Sequence, residues 1–256
     1  MVFPEDRLVP ANQMMEQAIR SKLQASGVGD IEFYGEYLDA NRFADSTHYA
    51  LFREFLLEKY RARRPDVILP FLNWRFELPG FRLGEVIPGV PIVFMAVNPT
   101  PVPVGGLGTN VTGIVARPDF QGALEVMFRL QPDTRRVVVI GGAAYADRVL
   151  VPLVEKAMQG FAGRAEFEFW TNRPIADLRS AVATLPARTV VLYTIIFRDV
   201  SGRALFPAQA VELLAKTANV PIYVWADSRA GWMRGHLLCL RSRIQRQGLH
   251  LGPLSL

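Results

Sequence analysis

With 256 residues, half of them hydrophobic and 21% charged, the chain has the balance of a globular protein with room for one large domain or two modest α/β lobes. No apolar run reaches the roughly 18 residues of a membrane span, so no direct membrane insertion is expected, and a single Cys239 excludes an internal disulfide. The net charge of +5 comes from 29 basic and 24 acidic residues, and the arginines gather only at 61–64 and 241–246, without the basic stripe and interleaved aromatics that nucleic-acid binding requires.

In chain order, Ala11–Ala25 has a helical pattern with Met14, Met15, Ala18, Ile19 and Leu23 on one face. Ile31–Tyr34 reads as a short strand. Asp45 is placed to cap a helix running from Thr47 to about Ala62. Asp66–Leu72 is an almost continuous apolar run, as a parallel strand buried on both faces requires. Phe76–Ile87 is broken by Pro79-Gly80 and holds at most a short helix. Pro91–Val97 is a buried strand leading into a Pro/Gly loop. Val111–Val115 is a second strand and Asp119–Leu130 an amphipathic helix.

After a turn at Gln131-Pro132-Asp133, Arg136–Ile140 starts a new strand ending in Gly141-Gly142. Tyr145–Gln159 is expected to be one helix and Glu166–Trp170 a strand. Thr171 or Asn172 should cap a helix through Leu185, with Pro174 in its first turn. Thr189–Ile196 is a strong central strand, Pro207–Ala218 a helix, and Pro221–Ala226 the last clear strand. Strands alternating with helices predict parallel, doubly wound sheets. In such sheets a ligand sits beyond the carboxyl ends of the strands. That rule nominates the loops Asn73-Trp74, Asn98–Thr100, Ala143–Tyr145, Trp170–Asn172, Thr194–Asp199 and Asp227–Arg229. Their mixture of aromatics and hydrogen-bonding groups suits a cleft for a small organic molecule.

Catalytic and metal signals are weak. The three histidines, His48, His236 and His250, lack a ligand-spaced partner. Gly105-Gly106 and Gly141-Gly142 fit neither a P-loop nor a dinucleotide fingerprint. The one titratable set that can be assembled for an enzyme is Glu36 or Asp39 with Arg198. Glu36, Asp39 and Arg42 follow a strand, where an Asp–Arg ion pair fixing the loop accounts for them structurally, as Asp199 capping a turn at Ser201-Gly202 does for Arg198-Asp199. The expectation is a non-enzyme with no cofactor and no metal.

Several segments, in order across residues 8–236, carry a family resemblance: Glu36-Tyr37-Leu38-Asp39 with Arg42-Phe43, Pro65–Ile68, Pro88–Phe94, Asn110-Val111-Thr112-Gly113, Leu130-Gln131-Pro132 with Arg135–Val137, Val191–Tyr193, Phe197-Arg198-Asp199 with Gly202, and Val220–Tyr223. Together they resemble the substrate-binding protein family of ABC transporters that includes tryptophan- and tyrosine-binding members. They look closest to its offshoot of sensory modules beside histidine kinases. Cys239–Leu256 has no counterpart in that pattern.

The resemblance implies a type I periplasmic-binding-protein-like α/β fold of two doubly wound parallel-sheet lobes joined by a hinge. One lobe is expected at residues 1–132 plus 228–256 and the other at 133–227. It also implies a periplasmic or other extracytoplasmic location, with a leader removed. The expected ligand is a small amino-acid-like or aromatic molecule, and the expected partner an ABC permease or a membrane histidine kinase. The alternative is a kinase input module acting mainly through partner contact. The candidate ligand-binding residues are Glu5 and Arg7 after the first strand, Asn73, Trp74 and Asn98 on one wall, Ala143, Tyr145, Trp170, Thr194 and Phe197 on the other, and Asp227.

Overall fold

The computed structural model describes residues 1–71, 77–78, 81–82, 87–97, 110–116, 118–225, 237–239 and 247–248. The chain divides into two compact units, Met1–Arg117 with Gln245–Leu256, and Pro118–Ile244.

In the first unit, β1 (Val2–Phe3) pairs in parallel with β2 (Glu36–Tyr37) on one side. On its other side Val2 bridges Pro70, and Ile68 in turn bridges Ile92, both in parallel. β5 (Ile92–Val97) pairs in parallel with β6 (Val111–Ala116), whose far side takes the antiparallel β12 (Gln247–Gly248). The spatial order is therefore second, first, third, fourth, fifth, with a reversed strand at the edge. Between these strands run helices α1 (Pro10–Gln24) and α2 (Ser46–Lys59). Asp45 caps α2 as its sequence position predicts, accepting the His48 amide at 2.8 Å. Tyr49 and Leu56 of α2 pack with Val2, Leu38, Ile68, Ile92 and Phe94. Gly113 is required where it stands, because a Cβ there would lie 2.3 Å from the Phe94 carbonyl oxygen of the neighbouring strand.

Two expectations in this unit change. The strand predicted at Ile31–Tyr34 falls at Glu36–Tyr37, because β1 sets the register: the Glu36 amide donates to the Met1 carbonyl at 2.9 Å. The segment read as at most a short helix instead carries an antiparallel pair, β3 (Glu77–Leu78) with β4 (Phe81–Arg82), flanking Pro79-Gly80.

The second unit is a five-stranded parallel sheet in the order β11-β10-β9-β7-β8. Its strands are β7 (Arg136–Ile140), β8 (Glu166–Trp170), β9 (Thr189–Tyr193), β10 (Ile222–Val224) and β11 (Leu237–Cys239). Counted from β7, this again is second, first, third, fourth, fifth. Side chains alternate along each strand between two helical layers. Val138, Ile140, Val191, Tyr193, Ile222 and Val224 face α6 (Ile175–Val182) and α7 (Pro207–Ala215). Val137, Val139, Val190, Leu192 and Tyr223 face α3 (Phe120–Leu130) and α5 (Val151–Met158). Burial on both faces is why β9 is apolar at nearly every position after Thr189.

The helix predicted at Tyr145–Gln159 is two, α4 (Tyr145–Arg148) and α5, because Pro152 has no N–H to carry the hydrogen-bond ladder through. The sequence reading puts α3 and residues 237–239 with the first lobe. α3 lies in the second unit, where it contributes Phe120, Leu124, Met127 and Phe128 to the core, and β11 extends the second sheet beyond β10.

Candidate functional site

Each unit carries a reversal point where connections leave the first and third strands in opposite directions, the place where open α/β sheets hold ligands. In the second unit it lies between β7 and β9, above Ile140 and Tyr193.

Four successive amides follow β7, and each has an internal acceptor. Gly141 N donates to Trp170 O at 3.4 Å, Gly142 N to Ile195 O at 2.9 Å, Ala143 N to Arg198 O at 2.7 Å, and Ala144 N to Asp147 Oδ2 at 3.0 Å. The Gly-Gly turn is therefore not an open cradle for an anion. It lets two loops touch: a Cβ on Gly142 would lie 2.2 Å from Asp147 Oδ2 and 2.7 Å from Arg198 O.

Asp147 is fully buried at the centre of this contact. Besides Ala144, it accepts the Phe197 amide on Oδ1 at 3.0 Å and on Oδ2 at 3.2 Å, and the Arg198 amide at 3.3 Å. Burial pushes its carboxyl up to about 6, against the opposing pull of the three amides and of the Arg198 guanidinium. One carboxylate thus ties the loop after β7 to the loop after β9.

A second carboxylate holds the far end of that loop. Asp199, also buried, accepts the Ile175 amide at 2.9 Å, the Ser201 hydroxyl at 2.6 Å, and the Ser201 and Arg203 amides at 3.0 Å each. Burial raises its pKa, but the Ser201 hydroxyl and the three amides outweigh that and hold it below the usual carboxylate range. The Ser201-Gly202 turn is as the sequence reading places it. The cap of α6 is not: Asp199, 24 residues away, accepts the first helical amide in place of Thr171 or Asn172.

The nominated residues fall into three groups. Tyr145 is 69% exposed at the start of α4, Phe197 is half-buried on the clamped loop, and Ala143 is half-buried beside them. Trp170 and Thr194 are buried. The Trp170 indole donates to Glu168 at 2.6 Å and carries the Arg173 guanidinium on its ring at 4.1 Å. The Thr194 hydroxyl donates to the Ile140 carbonyl at 3.0 Å, while the Thr194 carbonyl accepts the Trp225 indole at 2.8 Å. Asn73, Trp74, Asn98 and Asp227 lie outside the described residues.

In the first unit, Glu5 and Arg7 follow β1. Glu5 is buried and accepts the Asn41 side-chain amide at 2.6 Å, while Asn12 donates to the Glu5 and Asp6 carbonyls at 3.1 and 2.9 Å. Arg7 is exposed. Arg42 bridges Asp6 at 2.8 Å and Asp39 at 3.1 Å, the loop-fixing ion pair the sequence suggested. Glu36 is buried with Lys59 at 2.6 Å and the Tyr60 hydroxyl at 2.5 Å. His48 turns its ring to the Leu38 carbonyl at 2.6 Å. Among the described residues no cluster of three metal-ligating side chains occurs. Sequence reasoning missed Asp147 and Asn41; the one local sign of Asp147 is an acid in the first turn of a helix just past Gly-Gly.

Solved structures share this architecture. A conserved domain protein from Vibrio cholerae superposes with a TM-score of 0.60 at 17% identity, covering 90% of this chain and 74% of that one. The ABC domain from Streptococcus pneumonia in complex with L-Trp gives 0.57 at 13% identity, with the same coverages of 90% and 74%. A leucine-binding protein from Thermotoga maritima gives 0.50 at 18% identity, covering 89% of this chain and 62% of that one. No protein-family model and no curated relative matches the chain. The fold is thus α/β of the type I periplasmic-binding-protein-like class. Among the described residues no helix is long and apolar enough to cross a membrane.

Proposed function

We propose that this protein is an extracytoplasmic solute-binding protein. It captures a small amino-acid-like or aromatic ligand in a cleft between two hinged lobes, which close on it. The observation that supports this best is the repeated strand order: both units carry the same reversal point, in a fold that a protein solved with L-Trp shares. Tyr145 and Phe197 are the ligand-facing residues of the second lobe. Arg7 is the candidate from the first lobe, and Asn73, Trp74, Asn98 and Asp227 are candidates by their sequence positions. Ligand stabilises the closed form because it touches both faces.

A non-catalytic role fits the side chains an enzyme would have used. The Glu36 carboxylate is engaged by Lys59 and Tyr60, and that of Asp39 by Arg42. The closed form acts on an ABC permease, for uptake; the alternative is an input module that acts on a membrane histidine kinase mainly through partner contact. Neighbouring permease and ATPase genes would favour uptake, and a neighbouring kinase gene would favour sensing.

The test is a thermal-shift screen of amino acids, aromatic acids and small carboxylates, with mass spectrometry of whatever co-purifies. A hit at 100 times its Kd raises stability by about 2.7 kcal/mol. A flat response across all three classes, with nothing bound on purification, rejects the reading.

A further inference from the structure

The loop after β9 is clamped at two points by buried carboxylates, Asp147 and Asp199. Asp199 fixes its exit to the start of α6, which is ordinary capping. Asp147 does something different. It sits on α4, 50 residues before Phe197, and its two oxygens take the amides of Phe197 and Arg198, the residues that lead the loop across the reversal point. The same carboxylate takes the Ala144 amide at 3.0 Å, so the two loops of the rim share one acceptor. The Gly142 backbone closes over it with no room for a side chain. The charged group acting on Asp147 from the facing loop is Arg198. Arg148, beside it on α4, donates to the Ala143 carbonyl at 3.0 Å, and Asp199 is turned to Ile175 and Ser201.

We propose that Asp147 is the positioning residue of the second unit's rim: by holding the Phe197 and Arg198 amides it sets where the Phe197 ring stands, and so how tightly an aromatic or amino-acid-like ligand is held. This rests on the solute-binding reading for its ligand, but not for the positioning itself. Asp147 acts through the Phe197 and Arg198 amides that it holds. Its removal leaves three amides, that of Ala144 buried and those of Phe197 and Arg198 part-buried, without their acceptor, and the backbone that carries Phe197 moves to satisfy them.

The experiment has a ligand-free arm and a binding arm. In the first, amide hydrogen exchange is followed by NMR in the wild type and in Asp147→Ala from pH 5 to 8. The Phe197 and Arg198 amides should exchange about tenfold faster or more in the variant, while Val138–Ile140 of β7 are unchanged. In the wild type, protection of those two amides, corrected for intrinsic exchange, should rise as pH falls through about 6, because the closed rim binds the proton more tightly than an opened one. The variant should lack that rise. A purely structural role would shift the β7 amides in parallel, and parallel shifts or no shift overturn the proposal. Should the variant not fold, the wild-type pH profile decides alone, and a flat one overturns it.

In the second arm, L-tryptophan and L-tyrosine are titrated calorimetrically. Phe197→Ala should abolish measurable binding, and Asp147→Ala should weaken it about tenfold on folded protein. Unchanged affinity in Asp147→Ala overturns the proposal. If neither amino acid binds the wild type, the ligand reading fails for both, and the exchange arm still decides whether Asp147 positions the rim.

Discussion

The two units solve one geometric problem with different chemistry. Both place a buried carboxylate beside the loop that leaves their first strand. In the first unit Glu5 accepts the side-chain amide of Asn41 at 2.6 Å, with the Asn41 backbone amide at a longer 3.4 Å, so the loop after β1 is tied to the loop after β2 chiefly through a side chain. In the second, Asp147 meets backbone amides, so the loop after β7 is tied to the loop after β9 across the reversal point. A side-chain tie can be deleted one partner at a time. A backbone tie has only one removable member, and the amides left behind keep their need for an acceptor. The second rim should therefore be the more sharply defined of the two and the more sensitive to single substitutions.

The sharpest way to break that contrast is Gly142→Val. A Cβ there collides with both Asp147 and the Arg198 carbonyl, and neither can retreat without opening the rim. A loss of about 3 kcal/mol or more is expected in urea unfolding. A loss below about 1 kcal/mol would mean the two loops are looser than their contacts imply.

The next effect is a pH dependence of stability. The folded pKa of Asp147 is raised from 3.8 to about 6 by burial. Its contribution to stability is thus fully present below pH 3.8 and is lost as pH rises through 6, an effect of roughly 2–3 kcal/mol. Asp199 works with the opposite sign. Its folded pKa is lowered, so its contribution is present above 3.8 and lost as pH falls through the depressed folded value. Asp147→Asn should remove the slope between pH 4 and 6, and Asp199→Asn should leave that slope in place. Identical profiles for the two variants would contradict the assignment.

Asn41→Ala probes the first unit's tie. It leaves the buried Glu5 carboxylate without its 2.6 Å donor, with an expected loss of about 1–2 kcal/mol at neutral pH. The smallest effect is Arg42→Ala, which removes two half-exposed ion pairs worth up to about 1 kcal/mol and shrinking with added salt. If Arg42→Ala outweighed Asn41→Ala in thermal melts, the surface pairs rather than the buried tie would hold that loop.

How much of this was legible in the sequence follows from how local each determinant is. Asp45 and Asp119 cap the helices that begin beside them, each accepting an amide three residues on at 2.8 Å, and both helix starts can be read from the sequence. The strands at 92–97, 136–140 and 189–193 were readable as well, because a strand buried on both faces must be apolar at nearly every position, and the edge strand at 166–170 was readable from its alternation of Glu with Phe. Pro152 foretold a break that the helical pattern around it concealed.

What only the tertiary structure decided is which distant groups meet. Nothing near Ile175 announces that its amide will be capped by Asp199, and nothing near Asp147 announces Phe197. Trp170 and Thr194 read as wall residues from their place at strand ends, yet Glu168 and the Ile140 carbonyl hold their polar atoms inside the unit. Periodicity records how a segment divides its side chains between core and water, which is a property of the segment alone. The partner of a buried polar group depends on strand order and loop approach, and those are set when the sheet assembles.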